Sequence, residues 1–347
     1  MVKNNRQVTR HDFSNMKILS VNISEKTGIS KHPVDAITLT NLGVDHDAHA
    51  GAWNRQVSLL GTESIRKFEK ETGKRVSPGE FAENITTEGS ELWKMSPLDR
   101  LICGEAELEV TQIGKECHGT SCVIFKEVGN CVMPKEGIFC RVIHPGVIQA
   151  GDILEYHPKV FSISVITLSD RASRGEYEDR SGPRIKELVE DFLNAHTPLL
   201  TSRLHPVTRD ALRVTHKNLH QSPLFTIHYS LIPDDPSQLK VLLEQAKQDK
   251  IDLIFTTGGT GIGPKDITPE VVRLMLDKEI PGIMEMIRLK YGEKNPNALA
   301  SRSIAGVMKE SLVFTLPGSV KAVDEYMEVI LPVVPHLVLM LHGIDQH

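Results

Sequence analysis

Apolar positions along the chain follow two different patterns. From Met16 to about His157 they come in short runs, Lys17 to Ile23, Ala36 to Thr40, Gln56 to Leu60, Leu98 to Cys103, Ala106 to Ile113, Ile138 to Val142 and Asp152 to Tyr156, broken by Gly, Pro and Asn. Many short strands between turn signals predict a β-barrel or sandwich. One helix interrupts them, Thr62 to Glu71, with Ile65 and Phe68 at core spacing. From Val160 the pattern alternates. Strands are expected over Val160 to Leu168, Phe225 to Ile232, Ile251 to Thr256 and Ser311 to Leu316. Helices are expected over Arg184 to Asn194, Ser237 to Gln248, Pro269 to Leu276, Gly282 to Tyr291, Val320 to Ile330 and Pro335 to Leu341. Apolar strands alternating with helices predict a mostly parallel sheet covered by helices on both faces. In the first of these helices Ile185, Leu188, Val189 and Phe192 follow the i, i+3, i+4, i+7 rule and predict a core face. Pro158 cannot continue a central strand. The reading is therefore a flexible tail over 1–15, a β-rich barrel-like domain over 16–157 and an α/β domain over 158–347.

Composition narrows the class. A chain of 347 residues is too long for one ordinary core, and 40% hydrophobic with 24% charged residues is normal for a globular protein. The net charge of -5 and the lack of a polybasic run exclude a nucleic-acid footprint. No apolar span is long enough for a membrane, and the start Met1-Val2-Lys3-Asn4-Asn5-Arg6 lacks the apolar core of a signal peptide, so a cytoplasmic location is expected. All five cysteines lie between Cys103 and Cys140, an odd number in one region. That argues for reduced thiols or a site rather than a disulfide framework.

The candidate chemistry centres on Thr256-Thr257-Gly258-Gly259-Thr260-Gly261-Ile262-Gly263-Pro264-Lys265-Asp266-Ile267-Thr268-Pro269-Glu270, which follows an apolar strand and opens a helix. The glycines let the backbone take positive φ and approach a ligand, and the free N–H groups of the helix start favour an anion. Thr268 is expected to cap that helix, with Pro269 at its first position. Asp266 beside a phosphate cradle would repel the ligand unless a divalent cation sits between them. In open parallel sheets ligands bind beyond the carboxyl ends of the strands. The other ends carry Ser169-Asp170-Arg171, Pro233-Asp234-Asp235 and Pro317-Gly318-Ser319-Val320-Lys321. Asp235 is expected near a helix start at Pro236, where an acid is favourable.

In the first half, Gly43-Val44-Asp45-His46-Asp47-Ala48-His49-Ala50-Gly51 with Arg55, then Pro78-Gly79-Glu80-Phe81-Ala82-Glu83-Asn84-Ile85, then Gly114-Lys115-Glu116-Cys117-His118-Gly119-Thr120-Ser121-Cys122, resemble in that order the MOSC domain, named for the C-terminal part of molybdenum cofactor sulfurase. The likeness covers roughly residues 16–157. It implies binding of a molybdenum-pterin cofactor or carriage of sulfur, with Cys117 as metal ligand or sulfur carrier. His46 departs from the family, which often has glycine there. Cys117, His118, Cys122 and Cys131 also have the chemistry of a structural zinc site, although their intervals match no common zinc module, and reduced buried thiols remain an equal alternative. Asp45, His46, Asp47 and His49 read as a polar loop satisfied by its own turn. Arg55 suits a phosphate or carboxylate on a bound cofactor.

The second-half motifs, with Ser301-Arg302-Ser303, resemble the molybdopterin adenylyltransferase family over about residues 160–342. The resemblance implies transfer of AMP from ATP to the terminal phosphate of molybdopterin with release of pyrophosphate. It makes Asp234 and Asp266 the catalytic candidates as Mg²⁺ ligands. It assigns Thr257, Gly258, Gly259, Thr260 and Gly261 to the phosphates, and Ser169, Asp170, Arg171, Ser301 and Arg302 to the pterin and nucleotide rims, with Pro317, Gly318, Ser319 and Lys321 behind them. It also implies a homo-oligomer, a trimer of the second domain, and a molybdenum-insertion protein as a partner. A pterin-binding scaffold without chemistry and a molybdenum-dependent redox or sulfur-transfer enzyme centred on the first domain are the rival readings. The segment Ala195 to Ser222 is longer than the expected connection and reads as a surface excursion.

Overall fold

The computed structural model describes residues 15–115, 131–195 and 225–344. The expected tail before Asn15 and the excursion after Ala195 lie outside these, as do Cys117, His118 and Cys122. The described residues fall into two compact units, one ending at Lys159 and the other running from Val160 to Gly343.

The first unit is built from β1 (Met16–Ile23), β2 (His32–Val34), β3 (Ala36–Thr40), β4 (Gly43–Val44), β5 (Val57–Gly61), α1 (Thr62–Thr72), β6 (Ile85–Glu88), β7 (Arg100–Cys103), β8 (Ala106–Ile113), α2 (Met133–Glu136), β9 (Ile138–His144), β10 (Gly146–Gln149) and β11 (Ile153–His157). Strands run β11-β7-β8-β9-β5-β6-β1-β2, and β11 also pairs with β1, so seven of them close a barrel and leave β2 outside the ring. A second sheet, β10-β3-β4, completes the unit. Closure removes the sheet edges that would otherwise invite pairing with another chain. Among the described strands of this unit only β5 and β6 are parallel, a pairing that needs a crossover, and α1 supplies it. Val57 and Leu59 of β5 point into the barrel core with Ile18, Leu101 and Leu108. Leu60 points outward, where α1 covers it with Ile65 and Phe68, and Phe81 meets Phe68 edge to face at 5.1 Å. β7 starts two residues later than its sequence pattern suggests. Leu98 adopts φ 74 in a turn whose conformation ends any strand.

The second unit contains β12 (Phe161–Leu168), α3 (Asp170–Ser173), α4 (Ser181–Ala195), β13 (Phe225–Ile232), α5 (Pro236–Gln248), β14 (Leu253–Thr257), α6 (Thr268–Arg273), β15 (Lys278–Glu279), α7 (Pro281–Gly292), β16 (Ala305–Met308), β17 (Ser311–Leu316), α8 (Val320–Ile330) and α9 (Val334–Leu341). Its sheet has the order β13-β12-β14-β17-β16-β15. The first four strands are parallel, and β16 and β15 add an antiparallel edge. Because successive side chains alternate faces, Ile166, Leu168, Ile254 and Val313 meet α5 and α6 through Leu239, Leu243 and Val272. On the opposite face Phe255 and Phe314 stack at 5.4 Å. There α4 buries Ile185, Val189 and Leu193, and α8 buries Val323, Met327 and Ile330. Leu188 and Phe192 of the predicted face are only half-buried, and Leu193 takes the core place instead.

Candidate active site

Parallel pairing brings the four polar strand ends side by side, with Leu168 opposite Ile232, Thr167 opposite Thr257, and Thr257 opposite Leu316. At the first end Ser169 caps α3, its Oγ accepting from the Ala172 N–H at 3.1 Å and pairing with the Tyr177 hydroxyl at 2.8 Å. Asp170 and Asp234 are tied reciprocally. The Asp170 N–H donates to Asp234 Oδ2 at 3.1 Å and the Asp234 N–H donates to Asp170 Oδ1 at 3.2 Å. Lys265, from the glycine loop, forms an ion pair with Asp170 Oδ2. This ammonium foremost, then the Asp234 N–H, holds the Asp170 carboxyl below the usual carboxylate range. Arg171 lies over the Tyr177 ring, 5.1 Å from its centroid, and reaches Glu176 at 3.3 Å. Asp235 caps α5 by accepting from the Ser237 and Gln238 N–H groups, as the proximity of Pro236 suggested.

The glycine loop is held from three sides. Gly258 has φ +100 and donates its N–H to Leu316 O at 3.0 Å, and a Cβ there would lie 2.3 Å from Leu168 O. Gly259 has φ +64, and a Cβ there would lie 2.6 Å from Thr268 Oγ1. The expected Thr268 cap is not formed. Its hydroxyl is buried and donates to Gly258 O at 2.8 Å, so it joins the helix start to the loop instead of to the next turn. Thr257 Oγ1 donates to Pro317 O at 2.9 Å, and Gly318 approaches Gly258 closely enough that a Cβ on it would meet the Gly258 Cα at 3.4 Å. Asp266 accepts from the Gly263 N–H at 2.7 Å.

Arg302 serves the loop directly. Its backbone N–H donates to Thr260 O at 3.0 Å, its Nε to Gly261 O at 2.6 Å and an Nη to Asp266 O at 2.8 Å, while the other Nη pairs with Glu270. The side chain assigned to a ligand rim thus braces the glycine loop. Ser301 Oγ accepts from Tyr326 OH at 2.8 Å. Ser319 caps α8 through the Ala322 N–H, and Lys321 is exposed with Glu325 3.8 Å away.

Asp179 follows the first strand end in sequence and carries no expected role, yet the structure makes it a hub. Its carboxylate accepts from Thr167 Oγ1 at 2.8 Å, Tyr229 OH at 2.7 Å, the Ser181 N–H and Oγ at 3.0 and 2.8 Å, and the Gly182 N–H at 3.1 Å. Burial would raise its pKa, but these hydrogen bonds, Tyr229 first, bring it below the usual range. The signal available was an acid just before a Ser-Gly-Pro helix start. It closes the loop that carries Ser169 to Tyr177.

In the first unit, Asp45 and His46 have exposed side chains, and His46 sits at φ 59, a conformation that suits the family's glycine. Asp47 goes further than a self-satisfied turn. It is buried and accepts from the Ser24 and His49 N–H groups and from Lys31 Nζ at 2.5 Å. Burial would raise the Asp47 carboxyl, but bonds from His49 and Lys31 hold it well below the usual range, while burial lowers Lys31. Nearby Glu83 is fully buried, which raises its pKa, and its Oε2 has no hydrogen-bond partner among the described residues. Lys31 carries no motif of its own, and local spacing does not single it out. Arg55 lies 4.9 Å from the Trp53 ring centroid and has no acidic partner among the described residues. Burial pushes the Cys103 thiol up to about 11 and raises Cys140 as well, so neither is a ready thiolate. Among the described residues no group of three His, Cys, Asp or Glu is placed to hold a metal ion, and no helix is long and apolar enough to cross a membrane.

The MOSC domain family model matches residues 46–155, and the model of a probable molybdopterin binding domain matches residues 211–336. The molybdopterin adenylyltransferase of Helicobacter pylori J99 is 32% identical over 182 residues, covering 52% of this chain and 88% of that protein. The chain belongs to the molybdopterin adenylyltransferase family. The molybdenum cofactor biosynthesis protein B of Staphylococcus carnosus is 42% identical over 114 residues, 32% of this chain and 67% of that protein. The crystal structure of the molybdopterin biosynthesis enzyme MoaB from Thermus thermophilus is 34% identical, covers 53% of this chain and 97% of its own, and superposes with a TM-score of 0.41. A MOSC domain is thus joined to a molybdopterin adenylyltransferase-like domain of molybdenum cofactor biosynthesis.

Proposed function

We propose that the second unit transfers AMP from ATP to the terminal phosphate of molybdopterin, releasing pyrophosphate. The observation that carries this reading is the junction of the Asp170–Asp234 pair with the positive-φ glycine loop at adjacent strand ends. A terminal phosphate oxygen attacks the α-phosphorus, and the bond to the bridging oxygen of the leaving pyrophosphate breaks. The chain has to align two anions and neutralise charge that spreads onto the phosphate oxygens. The backbone N–H groups of Gly259, Thr260 and Gly261 would serve that task on a loop braced by Arg302, Thr268 and Thr257, whereas the Gly258 N–H, expected to join them, is taken by Leu316 O.

Carboxylate oxygens are the ligands Mg²⁺ takes. Asp234 and Asp266 offer carboxylate oxygens, and two carboxylates suit an ion that completes its shell with phosphate and water. When bound, Mg²⁺ would neutralise the triphosphate as a Lewis acid. The first unit is assigned a related molybdenum-pterin or sulfur-carrying role through Cys117 and Arg55. The Arg55 guanidinium, with no acidic partner among the described residues, supports its part, and Cys117 lies outside those residues.

The test is pyrophosphate release and adenylyl-molybdopterin formation by the full chain with ATP, Mg²⁺ and molybdopterin. Asp234→Asn and Asp266→Asn should each lower turnover by more than about a hundredfold, the size of a lost charge-stabilising group, with unchanged melting. Near-normal turnover in either variant would remove that residue from the site.

A further inference from the structure

We infer that Lys265 is a tethered counter-ion that pairs with Asp170 and transfers to the phosphates of an incoming nucleotide. The inference rests on the adenylyl-transfer reading and adds the means by which the site is held ready. The pair joins two strand ends 95 residues apart in sequence. Lys265 is 74% exposed on its side chain and Asp170 22%, so the carboxylate is seated in the rim while the ammonium sits at the end of an exposed four-carbon stem. Asp170 is fixed by its hydrogen bonds with Asp234, whereas Lys265 sits in the glycine loop beside Asp266.

An exposed lysine–carboxylate pair gains little and is easily exchanged. Such a pair suits a cation that must leave Asp170 when a stronger anion arrives. Arg302 does not fill this part, because its donors are engaged by loop carbonyls and Glu270. The ammonium also neutralises a carboxylate next to Asp234, and so competes with a divalent cation for the same negative charge. These two effects have opposite signs. Removing Lys265 should help a bare divalent cation and harm the nucleotide.

The experiment measures Mn²⁺ by electron paramagnetic resonance and Mn·ATP by calorimetry, on the full chain at low ionic strength. Lys265→Ala should bind Mn²⁺ alone about fivefold more tightly, the effect of a unit charge on a divalent ion about 8 Å away in water, and Mn·ATP about tenfold more weakly. Lys265→Arg should stay within about threefold of wild type in both. The gain for bare Mn²⁺ should vanish in Lys265→Ala/Asp170→Asn and shrink at about 1 M salt. A merely structural lysine would move both affinities the same way or neither, and either result overturns the inference. Failure of the wild-type chain to bind Mn·ATP would sink both proposals. Nucleotide binding with the opposed shifts but no adenylyl-molybdopterin would sink only the reaction. Adenylyl transfer intact in wild type, with equal Mn·ATP affinity in Lys265→Ala, would sink only the role of Lys265.

Discussion

At the scale of single residues, the glycine loop is fixed by contacts rather than by glycine's freedom alone. Gly258 and Gly259 both sit at positive φ, and each faces an atom a side chain would strike, Leu168 O and Thr268 Oγ1 respectively. The Thr268 hydroxyl cannot simply turn away, since it serves Gly258 O. Gly259→Val should therefore cost about 2–4 kcal/mol of stability from left-handed strain and overpacking, read from chemical denaturation, and should lower ATP affinity more than tenfold. A Val variant with wild-type affinity would mean that the loop is only a turn. The tight loop itself was legible in the sequence, because a Gly-rich stretch between an apolar run and Pro269 marks a turn whether or not it holds a phosphate. Its braces were not. Arg302 acts through a bond to a residue 36 positions away, and local spacing carries no trace of such a bond.

At the scale of elements, long amphipathic helices and long apolar strands were readable, and the short antiparallel edge was not. β17 and α8 have the bounds that their apolar patterns suggest, since both faces of the strand and one stripe of the helix are buried; β13, a partly buried edge strand, also has its expected bounds, because eight residues rich in Phe, Ile, Thr and Tyr mark a strand without full burial. β15 has two residues and β16 contains Gly306, too short or too weak a pattern to distinguish from loop, and barrel closure by β11 on β1 is a long-range pairing with no local sign. A polar tie lies where β11 runs out. Asp99 accepts from the Ser96 N–H at 2.7 Å, Tyr156 OH at 2.7 Å and the Lys159 N–H at 2.8 Å. Burial nonetheless pushes its pKa up to about 6, with these bonds only partly opposing it. Since this folded value lies above the ordinary Asp range, its contribution to stability is full below about pH 4 and is lost as pH rises through about 6. The stability of wild type minus that of Asp99→Asn should then grow by about 2–3 kcal/mol as pH falls from 7.5 to 4, whatever the constant offset between them. A flat difference in urea melts across that range would show that Asp99 titrates normally.

For the whole molecule, the question is why a MOSC domain and an adenylyltransferase-like domain share one chain. Each unit has a core of its own, the barrel interior around Leu59 and Leu101 and the helix-covered sheet around Leu243 and Ile254. The chain passes from one to the other at Lys159 and Val160, immediately after β11 and before β12. The second belongs to a family of molybdenum cofactor biosynthesis, and the first matches the MOSC domain, whose name comes from molybdenum cofactor sulfurase. A covalent link presents one domain's product to the other at an effective concentration on the order of millimolar for a short connection. The hypothesis is that the second unit adenylylates the pterin and the first binds a related molybdenum-pterin species, so that a labile intermediate need not cross bulk solvent. A fragment beginning at Val160 should retain AMP transfer within about tenfold of the full chain, which tests autonomy. Coupling is a separate matter, decided by comparing finished cofactor from the linked protein with that from an equimolar mixture of the two fragments at micromolar concentration. The linked chain should lead by at least about a hundredfold in initial rate when a scavenger of free intermediate is present, the lower range of avidity gains from tethering. Equal rates with and without the link, at full fragment activity, would mean that the fusion serves expression or assembly and carries no intermediate.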